Sequence, residues 1–289
     1  MDKAAWRHYF SEREAALRQG EIVSETYNFN EPPVDVFRIL KRERRLIHAV
    51  GDDFGNAFDG RIRYVGNRFL LCCNTRYDKW QHSGKHHSRV VFSIAHELGH
   101  YFLDHHRRCL VANQVAHDSF SEFSSHKLIE AEADHFASGL LMPSRLMKPQ
   151  INQSNFPDLD AIRSVRKSFD VSLTGLLARW TQLSDFPCAT IATRNGKIEF
   201  GWTSEAFQNL GCFKARRGHT PECKYFRQFV AGNKPVTGYA EGEGTGSTDY
   251  WIELARHEFT TSEMYFAIPH TGLIWVFVCC DETDISGDD

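Results

Sequence analysis

The run FSIAHELGHYFLDHH, residues 92–106, is patterned for a helix with two different faces. A helix advances about 100° per residue, so His96, Glu97 and His100 fall within about 100° of one another. Val91, Ile94, Ala95, Leu98, Tyr101 and Phe102 occupy an arc of about 120° on the far side, with Phe92 and Leu103 as exceptions among the polar residues. Any fold of this chain has to cover one side of that helix with apolar side chains. The other side carries His96, Glu97 and His100.

Two neutral imidazoles four residues apart can hold one Zn2+. The glutamate between them is then close enough to take a proton from water without being a ligand itself. A catalytic zinc needs a third protein ligand, and the helical run LIEAEADHFASGLLMP offers Glu130 and Glu132. These lie about 160° apart on the wheel and cannot both face one ion. Glu130 shares its face with Ala133, Asp134, Ala137 and Leu141, where alanines permit another helix to approach closely. Glu132 sits nearer Leu128, His135 and Gly139. The expectation is therefore His96, His100 and Glu130 as metal ligands and Glu97 as general base. Asp134, one turn beyond Glu130, is placed to orient a ligating histidine.

His-Glu-Leu-Gly-His is followed 30 residues after His100 by Glu130-x-x-Ala133-Asp134-x-Phe136-Ala137 and then Leu140-Leu141-Met142-Pro143. Together with the lead-in PPVDVFRIL helix and a short sheet, this resembles the ImmA/IrrE family of zinc metallopeptidases. The resemblance implies zinc on His96, His100 and Glu130, with Glu97 as base; Mn2+ is an alternative divalent occupant. It also implies limited proteolysis of a DNA-binding helix-turn-helix repressor, releasing stress-response or mobile-element genes. One departure is visible. Members often carry a histidine four residues after the second ligand, where this chain has Asp104 followed by His105 and His106, and the role of Asp104 stays open.

The expected fold class is α+β. The resemblance implies a zincin-like metallopeptidase domain over 1–143, then a helix-turn-helix-like segment over 144–186 and a GAF-like sensor domain over 187–289. The hairpins GRIRYVGNRFLLCCN, CATIATRNGKIEFGW and MYFAIPHTGLIWVFVCC supply strands, with Gly66-Asn67 and Asn195-Gly196 as tight turns. The first helix is read over 2–19, and residues 108–125 as irregular. LTGLLARWTQL holds one arginine and no lysine, which suits packing or substrate docking better than gripping phosphates.

A net charge of -3 and a pI near 6.6 give no global basic field. No apolar run is long enough to span a membrane, and the charged N-terminus lacks a signal-peptide core, so a cytoplasmic protein without a membrane partner is expected. The eight cysteines are expected to be buried free thiols. Cys212, His219 and Cys223 match no common zinc module and read as an ordinary loop. Histidines 82, 86, 87, 105, 106, 117 and 126 are all candidates to stabilise an oxyanion, and no spacing selects among them. The competing function is a non-proteolytic regulator that binds a repressor or DNA, with a structural or vestigial zinc site. Sequence leaves the oligomeric state open.

Overall fold

The computed structural model describes residues 3–80, 85–113, 117–119, 128–153, 157–254 and 258–280. It is a mixed α+β chain that divides into two units, residues 1–146 with 167–172 and residues 147–166 with 173–289. Among the described residues no helix is long and apolar enough to cross a membrane.

The first unit contains α1 (Lys3–Thr26), α2 (Val36–Arg42), β1 (Ile47–Asp52), β2 (Gly60–Val65) and β3 (Arg68–Asn74). It continues through α3 (Ser88–Phe102), α4 (Asp104–Asn113), β4 (His117–Ser119) and α5 (Leu128–Leu141). Its sheet has the order β1-β3-β2-β4, parallel between β1 and β3 and antiparallel elsewhere. Gly66 and Asn67 both have positive φ, as a two-residue hairpin between right-twisted strands requires.

The first helix runs to Thr26 instead of stopping before Gly20. Glycine at the end of a helical pattern ordinarily signals a C-terminus. Here a Cβ on Gly20 would collide with the carbonyl oxygen of Phe136, and one on Gly139 with that of Leu17. The two glycines let α1 and α5 pack backbone to backbone. The irregular reading of 108–125 is also corrected in part, because α4 continues to Asn113 and His117–Ser119 form β4; residues 114–116 and 120–125 lie outside the described residues.

Next in sequence come α6 (Ser144–Ile151), α7 (Leu159–Phe169), α8 (Leu173–Leu183), β5 (Cys188–Arg194), β6 (Lys197–Thr203) and α9 (Glu205–Asn209). The chain continues with β7 (Cys212–Ala215), α10 (Lys224–Gly232), β8 (Ala240–Ser247), β9 (Ile252–Leu254), β10 (Thr260–Ile268) and β11 (Leu273–Cys280). An antiparallel sheet of order β6-β5-β11-β10-β8 forms the centre of the second unit, and β7 pairs with β9.

Every residue of β11 is buried because the sheet is covered on both faces. On one face α8 packs through Trp180 against Phe277, and Thr181 hydrogen-bonds Thr190 at 2.7 Å. On the other, Phe207, Phe226 and Trp251 cover Ile191, Tyr265 and Val276. The glycine-rich run is the strand β8, in which Cβ atoms at Gly244 and Gly246 would collide with Tyr225, Tyr265 and Glu263. Cys212 lies in β7 and Cys223 precedes α10, both buried.

Candidate metal centre

Strand β2 and helix α3 are joined by a buried carboxylate. Asp59 accepts hydrogen bonds from Arg89 Nη2 at 2.8 Å and Nε at 3.1 Å, and from the Tyr77 hydroxyl at 3.2 Å. Helix α3 starts where the His87 ring nitrogen accepts from the Arg89 N–H at 3.1 Å. These contacts set the strand beside the helix about two turns before His96. Gly60, the next residue after Asp59, has no side chain to displace the Glu97 carboxylate, which is fully buried against it.

From α3, His96 Nε2 and His100 Nε2 converge to 3.1 Å. From α5, Glu130 places Oε2 3.5 Å from His96 Nε2 and Oε1 3.9 Å from His100 Nε2. Close approach of the helices makes this possible, since a Cβ on Gly99 would stand 3.2 Å from the Cα of Ala133. Ligands about 2.0–2.1 Å from a tetrahedral zinc lie about 3.3 Å from one another. The three donor pairs bracket that value, and two imidazoles with one carboxylate are a zinc donor set. The residues present therefore fit the ion.

Asp134 Oδ1 stands 2.8 Å from His96 Nδ1, on the ring edge away from the convergence. Burial disfavours charge on His96, yet hydrogen bonds to Asp134 and Glu130, with the field of Glu97, push its pKa up to about 10. Carboxylates arranged to favour a proton there also favour a divalent cation.

Glu132 lies apart from this convergence. It is buried beside α4, with Oε2 2.7 Å from His105 Nε2 and 2.6 Å from His106 Nε2, while His106 Nδ1 lies 2.9 Å from His100 Nδ1. The helical wheel gave His106 no place, because the backbone turns extended at Leu103 (φ -76°, ψ 113°) and α4 starts with a new phase. The available signal was the family's histidine just after the second ligand, which occurs here two residues later. Asp104 is exposed.

Among the other histidines, His86 pairs with Asp78 at 2.6 Å and stacks on Phe37, while His87 caps α3. His82, His126 and the side chain of His117 lie outside the described residues. Tyr101 is buried, as its angle on the wheel implies, and donates to Glu43 at 2.7 Å. Among the described residues, the groups with metal-ligand geometry are His96, His100 and Glu130, and His105, His106 and Glu132; Cys212, His219 and Cys223 form none.

Residues 82–181 match the family model described as the IrrE N-terminal-like domain, a peptidase family. No curated protein matches the sequence. A solved structure of a Mycobacterium tuberculosis transcriptional regulator is similar in fold, with a TM-score of 0.58 at 14% identity, over 96% of this chain and 80% of that one. The matched segment contains both helices of the convergence and all of its donors, so residues 82–181 carry an IrrE N-terminal-like domain.

Proposed function

We propose that the chain is a zinc-dependent endopeptidase whose substrate is a DNA-binding helix-turn-helix repressor. The convergence of His96, His100 and Glu130 from two helices is the observation that carries this reading. In it those three residues hold the metal and Asp134 fixes the ring of His96. When bound, Zn2+ supplies a Lewis acid and makes water acidic enough to deprotonate near neutral pH. Glu97 takes that proton and later delivers it to the leaving amine. Packing against Gly60 holds its carboxylate in one place, so little positional freedom is lost on reaching the transition state. The zincin-like description of the first unit, the GAF-like sensor role of the second and a cytoplasmic location belong to the same proposal.

The experiment is incubation of the purified chain with a co-encoded repressor, with and without a chelator. A discrete, metal-dependent cut that Glu97→Gln abolishes while retaining the metal is expected. Full activity of that variant would sink the assignment.

One observation favours the binding reading. Arg38, Lys41, Arg42, Arg44 and Arg45 line a concavity of about 410 Å³. The acid among them, Glu43, is turned inward to the hydroxyls of Tyr27 and Tyr101. The outer face is thus cationic and suited to a polyanion such as DNA. Derepression by Glu97→Gln would favour this role over cleavage.

A further inference from the structure

We propose that His106 and Glu132 are positioning residues for the metal centre, joined to His100 in a directed hydrogen-bond relay. The inference rests on the metal reading of His96, His100 and Glu130. A neutral imidazole has one N–H and one lone pair. His100 offering the Nε2 lone pair to a metal carries its proton on Nδ1, and that nitrogen faces Nδ1 of His106 at 2.9 Å. His106 Nδ1 then accepts, so its proton sits on Nε2. That nitrogen is 2.6 Å from Glu132 Oε2 and donates to it. The chain of donors runs one way, from His100 through His106 to a buried carboxylate.

The two metal-holding rings are thereby anchored differently. His96 donates directly to Asp134, which is partly exposed, whereas His100 reaches a charge that is almost fully buried. Removing the charge of Glu132 would weaken the hold of His106 on its tautomer and the donor strength of His100 with it.

The same three residues, His105, His106 and Glu132, have the residue types of a second metal site. Two features argue for the relay. Separations of 2.6 and 2.7 Å are hydrogen-bond lengths, shorter than the about 3.3 Å between ligands of one zinc. A metal on His106 Nε2 would also force a proton onto its Nδ1, against the proton that His100 carries. His105 is 56% exposed on its side chain and touches Glu132 from outside the relay.

The test is Zn2+ affinity of the full chain, by competition with a chromophoric chelator, with imidazole 15N spectra of the zinc-loaded protein. Expected are His106 protonated on Nε2, one zinc per chain, and zinc affinity lowered about 10- to 100-fold by His106→Ala and by the isosteric Glu132→Gln. His105→Ala should change it less than twofold. A proton on Nδ1 of His106, or unchanged affinity in both variants while His100→Ala abolishes binding, would overturn the relay and leave the metal site standing. Two zinc ions per chain, one lost in His105→Ala, would overturn it in favour of a second metal site. Zinc retention indifferent to His100→Ala would instead overturn the metal reading, and the relay with it. The spectra need no variant, so a misfolded substitution does not remove the test.

Discussion

A Cβ on Gly60 would stand 2.5 Å from Oε1 of Glu97. The strand thus acts as a wall for the carboxylate, and replacing Gly60 by alanine has to move one or the other. If Glu97 is the general base, Gly60→Ala should lower kcat about 100-fold, the scale of an about 1 Å misplacement, with zinc content unchanged. Parallel turnover and metal analysis check it; unaltered kcat would show that the strand, and not the carboxylate, gives way.

Asp134→Asn keeps the shape of the side chain but removes the charge facing His96 Nδ1 at 2.8 Å. Zinc affinity should fall about 10- to 100-fold while the far-ultraviolet circular dichroism is retained. Chelator competition reads the first quantity, and an unchanged affinity would leave Asp134 an ordinary surface charge.

Gly20→Ala and Gly139→Ala should each destabilise the first unit. Alanine in an exposed helix interior is favoured over glycine by about 1 kcal/mol. Here its methyl would meet backbone of the facing helix, and overpacking of this kind costs about 1–3 kcal/mol. Urea unfolding should show a lower midpoint for both variants; a raised midpoint would contradict the packing.

All eight cysteines are free, and Cys109 is exposed. Iodoacetamide at about neutral pH should modify Cys109 first and spare Cys188 and Cys279 until the chain unfolds. Burial pushes the Cys188 thiol up to about 12 and raises Cys279 well above its ordinary value of 9.0. A folded pKa above the unfolded one gives stability that is fully present below about pH 9 and declines as pH rises towards the folded pKa. Unfolding midpoints should therefore drop on the alkaline side of 9, and less so in Cys188→Ser. Mass spectrometry of the alkylated native chain checks the order of modification.

Much of the local structure was legible because its causes are local. Gly66-Asn67 and Asn195-Gly196 mark hairpins since few other residues take positive φ at both turn positions. The apolar run LIWVFVCC indicated a buried strand, and β11 is one. Gly20 misled for the same reason, since a residue that relieves a steric contact with a distant helix looks in sequence like one that ends its own. In β8 the space that side chains at Gly244 and Gly246 would need is taken by Tyr225, Tyr265 and Glu263, none of them a sequence neighbour.

By itself the sequence determined that His96, Glu97 and His100 share a face of α3, and that Glu130 and Asp134 share one on α5, because helical periodicity is a property of a single segment. Only the tertiary structure decided how the two helices meet, through Gly99 against Ala133. It also decided that His106 and Glu132, six residues beyond His100 and two beyond Glu130, come to the other side of the His100 ring. The phase of a helix is lost at an extended residue such as Leu103, and from there side-chain positions depend on which surfaces pack together.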